Sequence, residues 1–568
     1  MKTILTPKLI QALFWCIYIP LGLWACQQVG ISWDEGIELH TYNVNLAALL
    51  GLTQGDLAPY QALMAYGDRY YGVGFHIPAN LLSSLIETFS PMSADLSSEA
   101  RRITLNHIPI FLSWVGSGYL VGQILKRITQ DVWISILGMI ACLLWPYLLG
   151  HGLMNIKDVP FLFAWLLCTN QLLCILSKTQ AKSLIGAYTL LGIFTGWLIS
   201  IRISGVLISL EYLAFLLIFW STRNKDQLSM QTQSAPSAFS WNSIGPFLLA
   251  TSLTLYVCYP ILWHNPLELL NAISYMSRHP WDGDTLTAGR FIAGTQLPWY
   301  IVAWLAVKLP VIAILGLALC PIALYKLTRT SCLSQPTLQK PNATEQAHWN
   351  ARAIAALLLT VSLILLTLVF KKVSLYNELR QILFIFPLLW IVAISSLRWI
   401  NRKFTLGILL ASIVLFSWDN LKLFPYQYVY FNEIARQFPL ATQYEKDYFG
   451  LSSAQSAKWL IQNTRENTQV NTQTPATDCA YVSPLHLWQY AINGQKVICV
   501  KDFSERPQNG SASSETQSTE RAYWIGLPVR DKVKALPIPN CTILHSEERT
   551  LPLSTQTLVM GELYTCQP

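Results

Sequence analysis

Charged residues are scarce in this sequence. Only 12% of its 568 residues are Asp, Glu, Lys or Arg, whereas 52% are hydrophobic. Soluble domains carry about 25% charged residues, so this composition excludes an ordinary soluble protein. The apolar residues are gathered into blocks of roughly 17–22, the length that a helix needs to cross the hydrocarbon core of a bilayer. The composition therefore predicts a polytopic α-helical membrane protein.

Several motifs are also absent. The sequence contains no metal-ligand spacing such as CxxC or HExxH, so no metal or other cofactor is predicted, although a divalent cation is not excluded. No basic tract has the length or the interleaved aromatics of a nucleic-acid surface. No small-residue cleavage site follows the first apolar segment, which is therefore predicted to be a retained helix.

Hydropathy predicts about eleven transmembrane helices, near residues 9–27, 104–125, 132–149, 159–177, 183–201, 203–221, 243–262, 309–326, 353–370, 382–397 and 403–417. Most short Lys/Arg clusters fall on the same side as the N-terminus, which the positive-inside rule makes cytoplasmic. An odd number of spans then puts the C-terminal region outside. We therefore predict a multi-pass protein of the cytoplasmic (inner) membrane. Its membrane domain is 1–418, with large outer loops near 28–103 and 263–298.

Residues 419–568 contain no further spanning segment. Short β-prone runs alternate there with polar, turn-rich stretches, which predicts a small extracytoplasmic α/β domain. Its four cysteines are Cys479, Cys499, Cys541 and Cys566. An even number in an oxidising compartment favours two disulfides, and free buried thiols are the alternative. Four cysteines allow three pairings, and the sequence does not choose among them.

Two adjacent carboxylates, Asp34 and Glu35, follow the first span in the sequence ISWDEG (residues 31–36). Ser32 and Glu35 have the S-x-x-E spacing of a capping box, which predicts a helix N-terminus. A catalytic pair is the other interpretation, and the two are compatible. Adjacent residues differ by about 100° around a helix axis, so one carboxylate can act as a base while the other orients a substrate.

A second polar cluster lies between the third and fourth predicted spans. His151, Asn155, Lys157 and Asp158 occur within the sequence HGLMNIKDVPF. Asp158 before Val-Pro is typical of a helix cap. So many polar groups at an outer membrane surface are equally typical of a binding site, in which Lys157 contacts phosphate and the other three contact substrate.

Several basic residues run against the positive-inside trend, and two of them, Arg202 and Arg380, are candidate site residues. Arg202 lies in a tight turn between apolar runs, where it either snorkels to the interface or pairs with an anion in a cavity. Arg380 comes shortly after Tyr376 and directly before a span. It forms either an ion pair, with Glu378 or another carboxylate, or a bidentate contact with phosphate oxygens. Tyr376 is assigned to the same candidate site as a substrate-binding residue.

Five features thus follow one another in a fixed order. They are the Asp-Glu pair, a His…Asn-x-Lys-Asp-x-Pro-Phe loop, an Arg-x-x-Gly step at Arg202, a His-Pro-Trp…Leu-Pro-Trp-Tyr loop over 279–300, and Tyr-x-x-x-Arg at 376–380. This order resembles the protein O-mannosyltransferase (dolichyl-phosphate-mannose-protein mannosyltransferase) family and its bacterial relatives, within the GT-C glycosyltransferase superfamily. The sequence departs from the family pattern at Ile156, where proline is expected.

The resemblance implies the GT-C fold and a reaction. The reaction is inverting transfer of a sugar from a polyprenyl-phosphate donor, outside the membrane, to a protein Ser/Thr or a lipid-linked glycan. It implies Asp34 as the base and membrane lipid as a partner. The residues suit this chemistry, because an acceptor hydroxyl must lose its proton. A departing lipid phosphate also needs fixed cations, for which Lys157, Arg202 and Arg380 are candidates.

Two other functions stay open on the sequence alone. A transporter or flippase for a lipid-linked or anionic substrate would use outer-face arginines, but it predicts ionisable residues deep within the spans. Glu211 is one of the few carboxylates in such a position. A non-catalytic scaffold whose region 419–568 binds a partner is the third possibility.

Overall fold

A computed structural model describes residues 6–89, 97–177, 184–227, 241–277, 283–293, 297–333, 341–470, 479–492, 499–506, 523–528 and 541–566. The helices within these ranges are α1 (Pro7–Gln28), α2 (Trp33–Thr53), α3 (Ala58–Ala65), α4 (His76–Phe89), α5 (Ser98–Thr129), α6 (Val132–Leu144), α7 (Pro146–Gly152), α8 (Asp158–Leu176), α9 (Leu184–Ile201), α10 (Ile208–Gln227), α11 (Trp241–Cys258), α12 (Glu268–Ser277), α13 (Leu297–Lys308), α14 (Val311–Ala318), α15 (Cys320–Leu333), α16 (Pro341–Lys371), α17 (Ile385–Ile400), α18 (Arg402–Leu423), α19 (Ser452–Val470) and α20 (Leu485–Ile492). The strands are β1 (Asp284–Thr287), β2 (Arg290–Ala293), β3 (Cys479–Val482), β4 (Cys499–Asp502), β5 (Tyr523–Pro528), β6 (Cys541–Thr550) and β7 (Thr557–Cys566).

The predicted polytopic helical architecture is confirmed. Within the described ranges, 7 helical segments are long and apolar enough to cross a membrane, or up to 9 if two bent helix pairs each count as one span. The bent pairs are α6 with α7 and α13 with α14, and α11 and α17 supply shorter apolar helices. About eleven spans were predicted from hydropathy, so fewer helices meet the length and apolarity criteria than expected. Each predicted segment nevertheless overlaps a described helix, the eighth falling on α14 and α15.

Helix α5 joins the two ends of the bundle. Its 32 residues give it a length of about 48 Å, more than the thickness of the hydrocarbon core. Near its N-terminal end, His107 hydrogen-bonds to Glu35 of α2. Just beyond its other end, Asp131 lies 2.5 Å from the Arg402 guanidinium and 3.3 Å from that of Arg398. We call this second cluster, Asp131 with Arg398 and Arg402, the basic end.

The small C-terminal α/β unit is also confirmed. Its five-stranded sheet has the order β4-β3-β5-β7-β6, in which β3 is parallel to β4 and β5 while β7 is antiparallel to β5 and β6. Helices α19 and α20 cover the sheet, because Leu460 and Trp488 pack with Val482 and Leu563 in one buried cluster.

Helix α18, the last candidate membrane span along the chain, runs past the domain boundary predicted at residue 419. Helix α18 continues to Leu423 and stops before Phe424, which precedes Pro425 and is therefore disfavoured in α conformation. The segment after it is packed into the core of the membrane bundle, where Tyr428 and Phe431 are fully buried. The C-terminal unit is thus joined to the helices by a buried connection.

Two disulfides link neighbouring strands of the C-terminal sheet. Cys479 pairs with Cys499, and Cys541 pairs with Cys566. In each case the two cysteines are direct partners in the strand register, so the sheet itself brings them together. This is one of the three pairings that the sequence left open.

We expect these four cysteines to resist alkylation until a reductant is added. Loss of each disulfide is expected to cost about 2–4 kcal/mol, because it frees the unfolded chain. Peptide mass mapping after differential alkylation tests the pairing, and melting curves with and without reductant measure the loss of stability. Labelling of the four thiols in the non-reduced protein would contradict the pairing.

Candidate active site

A polar cavity of about 370 Å³ lies at the end of the bundle opposite the basic end. Its wall is built by the start of α2, the segment before α8, the turn between α9 and α10, and the segment before α17. Eight of the nine predicted site residues line it: Asp34, Glu35, Asn155, Lys157, Asp158, Arg202, Tyr376 and Arg380. The fold thus gathers positions from across 346 residues of sequence.

The two carboxylates at the start of α2 have different surroundings. The predicted capping box is present, since the Ser32 backbone N–H donates to Glu35 Oε2 at 2.6 Å. The other Glu35 oxygen lies 2.6 Å from His107 Nε2, and the side chain is only 3% exposed. Glu35 thus borders the cavity, but its oxygens are used in internal contacts. Asp34 is 35% exposed on its side chain and pairs with Arg380 across the cavity.

Each cation predicted to contact phosphate pairs with one carboxylate. The pairs are Arg380 with Asp34, Arg202 with Asp158, and Lys157 with Glu38. Burial lowers the pKa of Lys157, although its Nζ lies 2.5 Å from Glu38 Oε1 and 3.4 Å from the centroid of the Tyr71 ring. Each of the three cations is thus held at the wall of the cavity by its own carboxylate partner.

Glu38 also lines the cavity, and the sequence analysis missed it. It lies four residues after Asp34 on α2, and residues at this spacing share one face of a helix. Burial raises its pKa, but Lys157 and His76 outweigh burial and hold the pKa below its usual range. His76 is fully buried, with Nε2 3.1 Å from Glu38 Oε2. The i, i+4 spacing was the available signal.

The segment before α8 is organised by Asn155, and this corrects one prediction. Asp158 was predicted to cap α8, but it is the first residue of the helix and Lys157 holds the N-cap position. The Asn155 side chain stabilises this turn, because its Oδ1 accepts from the backbone N–H of Asp158 at 2.8 Å. The Asp158 carboxylate is already used, because it accepts from Asn155 Nδ2 at 2.9 Å and pairs with Arg202. Ile156, at the position where proline was expected, lines the cavity.

His151 is the one predicted site residue that does not line the cavity. Its ring is fully buried behind Asn155, whose Nδ2 lies 2.9 Å from His151 Nδ1. The other ring nitrogen lies 3.1 Å from the hydroxyl of Tyr448. The structure therefore gives His151 an indirect contact with the cavity, through Asn155.

A loop of residues 373–381, which we call the Arg380 loop, supplies the wall opposite α2. Tyr376, Asn377, Arg380 and Gln381 from this loop line the cavity. Asn377 and the next residue, Glu378, have φ angles of 52° and 65°. These angles lie in the left-handed region, which residues other than glycine rarely adopt. Such a conformation costs of order 1–3 kcal/mol at each residue, and it is typically found where function requires it.

A smaller pocket of about 110 Å³ adjoins the cavity and has a more apolar wall. The two spaces share Tyr71, Lys157, Arg202, Tyr376 and Gln381. The remaining wall of the smaller pocket includes Leu207, Met276, Leu368, Ile382 and Phe384. Two of the three cations therefore lie where a polar space meets an apolar one.

Other predicted features lie around the site. Of the His-Pro-Trp…Leu-Pro-Trp-Tyr loop, residues 279–282 lie outside the described residues, and its second half opens α13. There, the buried Tyr300 hydroxyl donates to the Glu378 carbonyl at 2.8 Å. In the part of the chain that is described, no three His, Cys, Asp or Glu side chains are grouped to hold a metal ion.

The chain has distant likenesses among solved structures. No family model and no curated protein matches the sequence. The fold is similar to ArnT from Cupriavidus metallidurans in the apo state, with 11% identity, a TM-score of 0.40 and coverage of 86% of this chain and 87% of that one. The same protein bound to undecaprenyl phosphate matches with 11% identity, a TM-score of 0.34 and coverage of 98% and 97%. At these identities and TM-scores, neither likeness assigns a family or a function.

Proposed function

We propose that the protein is a membrane glycosyltransferase of the GT-C type. It moves a sugar from a polyprenyl-phosphate donor to a hydroxyl acceptor. One observation carries the proposal: a partly exposed carboxylate, Asp34, faces the same cavity as three fixed cations, at the junction with an apolar pocket. A base, a phosphate site and a lipid-compatible pocket are the three parts that this reaction needs.

The shape of the site suits an amphipathic donor. We assign the phosphate to the shared boundary, where Lys157 and Arg202 supply charge and Tyr376 supplies a hydroxyl, with Arg380 beside it on the wall of the polar cavity. The sugar then occupies the polar cavity beside Asp34, and the first isoprene units occupy the apolar pocket. Guanidinium groups suit phosphate oxygens because they present paired donors in a rigid plane.

The reaction follows from this placement. Asp34 removes the proton of the acceptor hydroxyl as that oxygen attacks the anomeric carbon. The bond between the anomeric carbon and the phosphate oxygen breaks on the opposite face, so the configuration is inverted. The lipid phosphate leaves with the bonding electrons, and the cations stabilise its growing charge. Phosphate binding at Arg380 also loosens the pair between Arg380 and Asp34, which makes the carboxylate available as the base.

We place the cavity on the outer face of the cytoplasmic membrane. Support comes from the basic end, where Arg398 and Arg402 surround Asp131 at the far end of α5, since cytoplasmic ends carry the excess of Lys and Arg. The proposed acceptor is a protein Ser/Thr, as in the O-mannosyltransferases that the motif order resembles, or a lipid-linked glycan.

A transporter is the second candidate, and the position of Glu211 argues against it. Transporters place ionisable residues at the middle of the membrane, where they line the path of the substrate. Glu211 is fully buried in α10 and accepts a hydrogen bond from Trp165 Nε1 at 2.6 Å, but it lines neither of the two spaces. The charged groups of the site are gathered at one end of the helices instead.

Sugar transfer is the direct test of the function. Purified protein is incubated with a panel of radiolabelled polyprenyl-phosphate sugars and native membrane extract. We expect label to move from at least one donor to a product whose class identifies the acceptor. Absence of transfer from every donor, by protein that is shown to be folded, would contradict the proposal and favour transport.

Replacing Lys157 by methionine is expected to remove one phosphate contact. The expected loss is about 2–4 kcal/mol of transition-state stabilisation, by analogy with other anion-stabilising donors. That is about 30- to 1,000-fold in kcat/KM for the donor. Lys371→Met is the matched control, because Lys371 is exposed at the end of α16 and does not line the cavity. Equal losses in the two variants would remove Lys157 from the site.

A further inference from the structure

A fully buried ion pair lies directly behind the Arg380 loop. Lys308 Nζ is 2.8 Å from Glu378 Oε1, and both side chains are 0% exposed. Neither residue lines the cavity or the adjoining pocket. Burying two charges is costly, and such a pair is often no more stabilising than apolar side chains of the same size. A contribution to stability is therefore a weak explanation for its presence.

The pair joins the loop to a rigid support. Lys308 is the last residue of α13, at a break where the chain turns by 117° into α14. The Asn432 side chain closes this break, because it donates to the carbonyls of Ala306 at 2.6 Å and Leu309 at 2.8 Å. Lys308 also donates to the Tyr428 carbonyl at 3.0 Å. The Lys308 ammonium is thus held in place by contacts that do not involve the Arg380 loop.

The loop needs such a support because its backbone is strained. Glu378 is the second of two consecutive residues with left-handed φ angles, and neither is a glycine. Its side chain is held by Lys308 and its carbonyl by the Tyr300 hydroxyl, so both contacts come from α13. Arg380 follows two residues later and reaches across the cavity to Asp34. Relaxation of the backbone at Glu378 would move Arg380 away from that position.

We propose that Glu378, anchored on Lys308, is a positioning residue that holds the Arg380 loop so that Arg380 meets the phosphate of the donor. This inference rests on the proposed function. Glu378 acts through Arg380 and does not touch the substrate.

A double-mutant cycle with undecaprenyl phosphate as the probe tests the proposal. Binding to the purified full-length protein is measured for wild type, Glu378→Gln, Arg380→Ala and the combined variant. We expect Glu378→Gln to weaken binding about tenfold or more when Arg380 is present, and by no more than about twofold when Arg380 is absent. A role in stability alone predicts the same loss in both backgrounds, and that result would overturn the proposal.

Two further variants separate positioning from folding. Asp419→Asn breaks another fully buried pair, with Arg436, and neither residue lines the cavity. It should lower the melting temperature while binding stays within about twofold of wild type. Lys308→Met combined with Glu378→Gln removes both charges of the first pair. The melting temperature should then be higher than that of Glu378→Gln alone, while binding of undecaprenyl phosphate stays as weak as in that variant. Recovery of binding together with stability would also overturn the proposal.

The outcome for wild type keeps the two proposals apart. Wild-type protein that does not bind undecaprenyl phosphate would overturn the proposed donor, and the positioning role with it. Wild-type protein that binds, with losses that are additive in the cycle, would overturn the positioning role alone.

Discussion

Asp34→Asn is expected to lower kcat for sugar transfer by about 10²- to 10⁴-fold, the range that a positioned general base contributes. Asparagine has nearly the same shape and can still accept a hydrogen bond from Arg380, so donor binding and folding should change little. The loss should therefore appear in kcat and not in KM. Initial rates with a labelled donor, at several donor concentrations, give both constants.

Asp68→Asn is the matched control for this change. Asp68 is another carboxylate on the wall of the same cavity, and it is not a partner in the three cation pairs of the site. We expect kcat of Asp68→Asn to stay within about tenfold of wild type, a smaller decrease than the loss of a general base causes. A similar loss in both variants would indicate a general electrostatic effect, and full activity of Asp34→Asn would remove Asp34 as the base.

The largest loss of stability is expected from Arg436→Ala. The Arg436 guanidinium is fully buried and donates to both Asp419 oxygens, at 2.9 and 2.8 Å, and to the Pro552 carbonyl at 2.9 Å. It therefore ties α18 to the C-terminal unit. Its removal leaves the Asp419 carboxylate buried without a cation, which typically costs about 3–5 kcal/mol. Thermal unfolding in detergent, followed by tryptophan fluorescence, measures the change.

Arg101→Ala tests whether burial is the reason for this effect. Arg101 pairs with Glu87 at 3.1 Å, but the two side chains are 27% and 39% exposed. Exposed pairs contribute about 0–1 kcal/mol, so the melting temperature of this variant should hardly move. If the Arg436→Ala and Arg101→Ala variants have the same melting temperature, the buried pair does not hold the connection between α18 and the C-terminal unit.

Local patterns in the sequence were enough to predict most of the charged residues that line the cavity. The capping box at Ser32 and Glu35 is a contact within one helical turn, so the spacing of the two residues is enough to predict it. The same holds for the membrane helices, whose length is imposed by the bilayer. The cations were recognisable because Lys157, Arg202 and Arg380 stand where the charge rule disfavours them.

The partners of these residues were not predictable in the same way. Arg380 pairs with Asp34, which lies 346 residues away, and not with the neighbouring Glu378 that the sequence offered. Glu378 pairs instead with Lys308 at the end of α13. Ion pairs depend on distance in space, and the sequence records only distance along the chain.

The sequence by itself determined the class of molecule, the approximate helices and most of the polar residues that face the cavity. These follow from hydrophobicity, charge and short-range capping, each of which acts on neighbouring residues. Only the tertiary structure decided that Asp34 faces the cavity while the oxygens of Glu35 turn to Ser32 and His107, and that His151 lies behind Asn155. The direction of a side chain is settled by the packing of helices far apart in sequence, because burial of the whole surface selects one arrangement from many that local patterns allow.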